Sequence, residues 1–332
     1  MVRVAVLDDY QHVAMAMADW SVLPAGTKVD AFPDHLFDEG ALAARLRDYD
    51  VVLGMRERTP MRRSLLERLP NLKLLLTTGR GNASYDFPAA TELGIVCCGT
   101  ALGGGPATAE LAWGLILALT KKIPWEDAGV REGKWQLGVG ESVNGKTLGI
   151  VGLGRLGTVT ARVGLAFGMR VLAWSQNLTP ARAEENGVEY ASKDQLFRES
   201  DFVSIHYTLS DRSRGMITAR ELGLMKPTAY LINTSRGPLI DEGALIGALR
   251  SRRIAGAGLD VFDVEPLPLD HPLRSMPNTV ITPHLGYVTQ EAYRSMFPES
   301  IENIRAWLAG DPVHVINKDV LESPNLRKLS PA

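Results

Sequence analysis

The chain has little that would mark it for a special environment. Among 332 residues there are only two cysteines, Cys97 and Cys98, adjacent in sequence. Neighbouring thiols cannot staple distant segments, so a disulfide framework is excluded and reduced, buried thiols in a cytoplasmic protein are expected. The formal net charge is only −2, which leaves no electrostatic footprint for nucleic acid or an anionic membrane surface. The most apolar helical stretch, Leu111 to Leu119, is too short to cross a bilayer. Asp8 and Asp9 interrupt the first residues, which read as a strand, so no signal peptide is expected. Repeats of solenoid period and low-complexity segments are missing as well. No metal-ligand pattern is assigned.

What is present is an ordinary globular composition, 45% hydrophobic and 22% charged, at a length sufficient for two domains. The organising stretch is Thr147 to Gly157. An apolar run, Leu148 to Val151, reads as a buried strand and breaks into Gly152-x-Gly154-x-x-Gly157, after which Thr158 to Phe167 reads as a helix. That is the context a dinucleotide fingerprint requires. The first glycine permits the tight turn, the second lets backbone approach a pyrophosphate, and the third lets helix and strand pack closely. Amide groups at the helix start, aided by its dipole, then face the phosphates.

The rest of the chain alternates strands with helices. In the first hundred residues strands are read at Val2–Leu7, Lys28–Phe32, Val51–Leu53, Lys73–Thr77 and Ile95–Cys97, with helices near His12–Trp20, Gly40–Arg47 and Arg62–Arg68. Pro106 to Lys122 is a helix apolar almost all round, expected between domains or at a subunit interface. Trp125 to Glu141, with Trp135 amid charged residues and glycines, reads as an arm. Beyond the glycine turn, strands are read at Met169–Trp174, Phe202–His206, Ala229–Asn233, Ile254–Leu259 and Val280–Thr282, and a long helix at Gln290–Leu308 reaches back to the first domain. This alternation argues for α/β architecture with two doubly wound parallel sheets.

An acidic residue at the end of the strand after the glycine turn would receive the ribose hydroxyls of NAD. Here that place holds Ser175, Gln176 and Asn177. Without a carboxylate the main barrier to a 2′-phosphate is gone, and these side chains can donate to phosphate, with Arg182 the nearest cation downstream. NADP is therefore favoured over NAD.

Three chemically capable residues follow strands in the second half: Arg236 after Tyr230–Asn233, Glu265 after Ile254–Leu259, and His284 after Val280–Thr282. Ligands of open α/β sheets bind beyond the carboxyl ends of strands, so all three are expected at a crevice between the domains. Their chemistry is complementary. Hydride delivery to a 2-keto acid leaves an alkoxide that needs a proton, which a histidine supplies. A nearby carboxylate favours the imidazolium. A guanidinium holds a substrate carboxylate or polarises the keto group as a rigid fork.

These motifs resemble those of the D-isomer-specific 2-hydroxyacid dehydrogenases, glyoxylate and hydroxypyruvate reductases among them, over essentially the whole chain. Besides the glycine turn, the likeness is carried by Met225-Lys226-Pro227 through Asn233-Thr234-Ser235-Arg236-Gly237, by Gly258-Leu259-Asp260-Val261-Phe262 with Glu265-Pro266, and by Thr282-Pro283-His284-Leu285-Gly286. The resemblance implies that Arg236 binds substrate, that His284 is the acid/base and that Glu265 pairs with it. It implies further that Asp260 holds the nicotinamide carboxamide and that Thr108, Arg155, Leu156 and Thr234 contact the cofactor. The backbone of Arg80 and Gly81 would grip the substrate carboxylate, with Arg56 on a neighbouring loop. It also implies a Rossmann cofactor domain, residues 101–289, inserted into a flavodoxin-like substrate domain, residues 1–100 and 290–332, and a homodimer formed through the cofactor domain. Thr208 stands where the family often has proline, and Tyr287 places a ring beside His284.

The expected activity is NAD(P)-dependent interconversion of a small 2-keto acid and its 2-hydroxy acid, with no nucleic acid or membrane partner. A nucleotide-sensing corepressor of the same fold and a phosphite- or formate-type dehydrogenase are the alternatives.

Overall fold

Short, uninterrupted apolar runs become strands buried on both faces, the pattern of a parallel sheet covered by helices. The computed structural model describes residues 1–101 and 105–328. The chain divides into two units, Met1–Gly105 together with Val288–Ala332, and Pro106–Tyr287.

The first unit holds β1 (Arg3–Val6), β2 (Lys28–Ala31), β3 (Val51–Gly54), β4 (Leu74–Thr77) and β5 (Val96–Gly99), with α1 (Glu39–Leu46), α2 (Arg63–Leu66) and α3 (Phe87–Glu92). The sheet order is β2-β1-β3-β4-β5, all parallel, which is the flavodoxin-like order. Every residue of β3, β4 and β5 is buried. Asp38 and Asp86 start α1 and α3 by accepting the amides of Ala41 and Ala89, satisfying donors that a helix start leaves open.

One expected helix does not form. His12–Trp20 is a series of turns ending in a 3-10 turn at Trp20–Val22. Asp9 captures the amides of Val13 and Ala14, and His12 adopts φ 56°, so a local side-chain bond and a left-handed residue replace the helix.

The second unit contains α4 (Ala107–Thr120), α5 (Ile123–Arg131), β6 (Thr147–Val151), α6 (Arg155–Ala166), β7 (Arg170–Trp174), α7 (Pro180–Glu185), β8 (Glu189–Tyr190), α8 (Lys193–Glu199), β9 (Phe202–Ile205), α9 (Ala219–Leu224), β10 (Tyr230–Asn233), α10 (Glu242–Arg250), β11 (Gly256–Leu259) and β12 (Thr279–Ile281). Its seven strands run β12-β11-β10-β9-β6-β7-β8, a Rossmann-type order whose direction reverses between β6 and β9. Ligands bind at such a reversal. One face of the sheet packs on Leu196, Phe197, Leu231 and Leu249, the other on Trp113, Ile116, Ile150 and Phe202.

The all-round apolar α4 finds its partners inside this unit, between α6 and strands β10 to β12. Trp113 donates its indole N–H to Thr160 of α6 at 3.1 Å. On the other flank, Gly258 of β11 leaves room for Leu115, since an added Cβ would lie 2.9 Å from its Cβ. The buried face of the helix is thus covered within this unit, while Leu111 and Leu117 stay partly exposed. The expected arm also differs in part, because Ile123–Arg131 is helical as α5 and only the residues after it are irregular.

After the second unit the chain continues in the first with α11 (Gln290–Leu308), capped by Thr289, which accepts from Ala292. Its buried stripe includes Tyr293, Phe297, Ile304 and Trp307, the one-sided pattern of a helix lying on a core.

Candidate active site

The glycine turn is built as its sequence requires. Gly152 has φ +101°, and a Cβ there would strike the carbonyl of His206. At Gly157 a Cβ would strike the carbonyl of Gly152, so the third glycine sets how closely α6 approaches the turn. Gly154 caps α6 without any side-chain cap, and nothing lies within 4 Å of where its Cβ would be. The start of α6 is thus open at the position a Gly154 side chain would take. Arg155 and Leu156 form the first turn of α6.

Beside this turn is a crevice of about 250 Å³ between the ends of β6, β7 and β9. Gly152 and Gly154 line it together with Ser175, Gln176, Asn177 and Arg182, and with His206, Tyr207 and Thr208 opposite. No carboxylate is among the lining residues. His206 Nδ1 on its wall and Thr234 Oγ1 just after β10 are buried polar atoms with no hydrogen-bond partner among the described residues. The His206 ring bonds Ser204 through Nε2 at 2.9 Å, and burial pushes its pKa down to about 4. It is therefore a neutral imidazole at physiological pH. The glycine cradle, the open helix start and the unsatisfied polar atoms fit a dinucleotide.

Beyond the ends of β11 and β12 two of the expected site residues meet. His284 Nδ1 lies 2.5 Å from Glu265 Oε2, while Glu265 Oε1 accepts the amide of Phe262 at 2.9 Å. The carboxylate is thus fixed from behind, and the imidazole is held by one nitrogen with Nε2 left for chemistry. His284 is only 8% exposed and has φ 55°, a conformation that persists only where the surroundings enforce it. Asp260 is the enforcing group. It is fully buried, and it accepts from Thr282 Oγ1 at 2.6 Å, from the Leu285 amide at 2.7 Å and from the Gly286 amide at 2.9 Å. Burial raises its pKa, with those hydrogen bonds and the charge of His284 acting the other way. Thr108 at the head of α4 closes the loop by donating to the Gly286 carbonyl at 2.7 Å.

Arg236 stands half-buried at the end of β10, with Nη1 donating to the carbonyl of Ser235 at 2.7 Å. Its turn packs on the loop that carries Glu265, for a Cβ on Gly237 would overlap the backbone of Phe262. Tyr287 packs edge-on against the His284 ring, with centroids 5.5 Å apart.

The remaining expected residues, Arg56, Arg80 and Gly81, belong to the first unit, on loops after β3 and β4. Arg56 donates to the Thr78 carbonyl at 3.1 Å and lies against Gly79. The Arg80 and Gly81 amides make no hydrogen bond among the described residues, and nothing lies within 4 Å of a Cβ placed on Gly81. Sequence reasoning passed over Thr282, the hydroxyl that anchors Asp260, and His206 on the crevice wall. The position of each at the carboxyl end of a strand was the available signal.

Comparison with known proteins agrees with this geometry. Residues 113–286 match the family model described as D-isomer specific 2-hydroxyacid dehydrogenase, NAD binding domain. A glyoxylate reductase of Thermococcus litoralis is 40% identical over 294 residues, covering 86% of this chain and 88% of that protein. A hydroxypyruvate reductase of Blautia hydrogenotrophica is 32% identical over 325 residues, 95% of this chain and all of that one. Among solved structures, a phosphoglycerate oxidoreductase of Vibrio cholerae superposes with a TM-score of 0.89 at 37% identity, over 93% of this chain and 100% of the other.

Proposed function

The chain belongs to the D-isomer-specific 2-hydroxyacid dehydrogenase family, and from that premise we propose that it reduces a small 2-keto acid of the glyoxylate or hydroxypyruvate class, using Arg236, Glu265 and His284. Its enzyme class, an oxidoreductase acting on the CH–OH group of a hydroxy acid, follows from the family. A bound nicotinamide supplies the hydride. The chain's own groups do the rest. His284 Nε2 gives a proton to the oxygen that becomes the hydroxyl, and Glu265 orients the ring and stabilises its charged form. Arg236 holds the substrate carboxylate through its planar fork. The free amides of Arg80 and Gly81 take the same carboxylate, with Arg56 nearby. Asp260, Thr108 and Thr234 serve the nicotinamide end of the cofactor site, and the Gly152–Gly157 turn with Arg155 and Leu156 serves the pyrophosphate. The observation that carries this reading is the 2.5 Å contact between His284 and Glu265 at the end of adjacent strands.

The cofactor is NADPH in preference to NADH. Support comes from a crevice that sets Ser175, Gln176, Asn177 and Arg182 together and has no carboxylate in its lining, a surrounding that accepts a 2′-phosphate without repulsion. The working form is a homodimer in the cytoplasm, where the two cysteines suit reducing conditions. Burial pushes the Cys98 thiol up to about 12 and Cys97 higher still, so neither is a reactive thiolate.

One experiment tests the whole reading: oxidation of NADPH and of NADH followed with a panel of 2-keto acids, for the wild type and His284→Ala. The variant is expected to lose about 10²–10⁴ in kcat, the scale of a positioned acid, and NADPH to give the lower KM. Turnover of no keto acid by the wild type would favour a nucleotide sensor. Near-normal turnover by the variant would remove His284 from the reaction.

A further inference from the structure

The first unit contains a second hollow, of about 480 Å³, at the opposite end of its parallel strands from the loops that carry Arg56 and Arg80. Val96, the first residue of β5, lies at its floor. Trp307 and Leu308 from the last turn of α11 and Leu321 and Leu326 from the segment after it make apolar walls. Its size is within the range of small-molecule pockets.

The rim has a charge imbalance. Arg327 is half-buried there, and burial lowers its pKa. Its Nη1 donates to the carbonyls of Leu69 and Leu72, both at 2.8 Å, but among the described residues no carboxylate pairs with it. A partly desolvated guanidinium that meets only neutral carbonyls is under-compensated. Lys328 adds a second cation, and Asp311 stands on the same rim. The indole N–H of Trp307 donates to no group among the described residues. An apolar chamber beside an unneutralised cation and an unused donor is complementary to one kind of molecule.

We propose that this hollow binds a small organic monocarboxylate with an aliphatic or aromatic tail, its charge against Arg327 and Lys328 and its tail over Trp307, Leu321 and Leu326. Asp311 sets the charge limit, because a second anionic group would face a carboxylate. The apolar walls favour a ligand with a tail over an inorganic anion, which would leave them uncovered. The site is independent of the catalytic reading, since it uses none of the same residues.

The test is calorimetric titration of the full chain with 3-phenylpropanoate, which has no 2-keto or 2-hydroxy group to reduce or oxidise. Saturable binding at one site per chain is expected, at least about tenfold tighter than that of the uncharged 3-phenylpropan-1-ol, a difference of ~1.4 kcal/mol. Leu321→Trp, at a side chain already 40% exposed, fills the chamber and should weaken binding by about tenfold or more. Lys328→Gln, on the surface, should weaken it by roughly threefold. Both variants should retain wild-type melting temperatures and keto acid reduction. Absence of saturable heat in the wild type would overturn the proposal. So would unchanged affinity in Leu321→Trp, or competition between the probe and the keto acid substrate.

Discussion

At the scale of single residues, the loop that carries His284 is held by one buried carboxylate. Asp260 uses both oxygens to hold Thr282, Leu285 and Gly286, the residues on either side of His284. Asparagine in its place keeps the shape but turns one oxygen into an N–H donor, which must then face a donor. A buried donor left unpaired costs about 1–3 kcal/mol. Asp260→Asn should therefore lower thermal stability by that order and reduce kcat by about ten- to a hundredfold, because a misplaced acid loses rate steeply. Wild-type kcat in a variant with a lowered melting temperature would separate the two effects and strip Asp260 of its positioning role.

His206 makes a second prediction at this scale, one about acid. Its imidazole, held at about 4 in the folded chain against 6.5 ordinarily, takes a proton more readily when unfolded. Its contribution to stability is therefore undiminished above pH 6.5, is lost progressively as pH falls towards 4, and does not fall further below that. By linkage the loss is on the order of 3 kcal/mol at most. His206→Asn should flatten the pH dependence of urea unfolding between pH 6.5 and 4 relative to the wild type. Parallel curves would mean that the ring already protonates in the native state.

Among the elements, the glycine turn gives the sharpest contrast. Gly154 faces open space, whereas a side chain on Gly157 would collide with the Gly152 carbonyl. Gly154→Ala is expected to fold with a nearly unchanged melting temperature but to bind NADPH at least about tenfold more weakly, since the second glycine admits the pyrophosphate. Gly157→Ala should lose both stability and binding, because α6 must shift away from β6. Tight binding by Gly154→Ala, measured by nicotinamide fluorescence, would show that the phosphates lie elsewhere.

The same contrast explains what could be read in advance. Elements whose signal is local were legible: the strand, turn and helix of the fingerprint, and α11, whose capping threonine and apolar stripe mark its extent. His284 and Glu265 could be placed at one crevice because each follows a strand of one parallel sheet, while their pairing was implied by the family resemblance. Where one side chain outbid helix propensity, as Asp9 did over His12–Trp20, composition misled. β8 is two exposed residues, so no apolar run announces it. The apolar surface of α4 is visible in sequence, whereas the helix and strands that cover its buried face are not. Asp260's grip on the loop around His284 was hidden for the same reason, since three partners come from residues 22 to 26 positions away.

For the molecule as a whole, the remaining question is what the segment after α5 is for. It is not loose. Glu126 accepts the amides of Leu137 and Gly138 at 3.0 and 2.9 Å, Glu141 donates its amide to Thr120 at 2.8 Å, and Leu137 packs on Gly129. Yet this ordered segment leaves Trp135 78% and Val139 91% exposed, with Ile123 and Val130 of α5 about half exposed beside it. Fixing a backbone costs conformational entropy, and holding an indole in water forgoes the burial energy of a large apolar side chain. Both costs would be recovered if a second copy covered the surface, and ordered apolar patches of this kind mark association sites. Light scattering on the eluting protein should therefore give twice the chain mass at micromolar concentration. The double variant Trp135→Asp with Val139→Asp should shift it towards the single-chain mass while the far-ultraviolet spectrum stays unchanged. A wild type that elutes as one chain would leave the exposed indole without this explanation, and a variant that stays dimeric would place the interface on another face of the second unit.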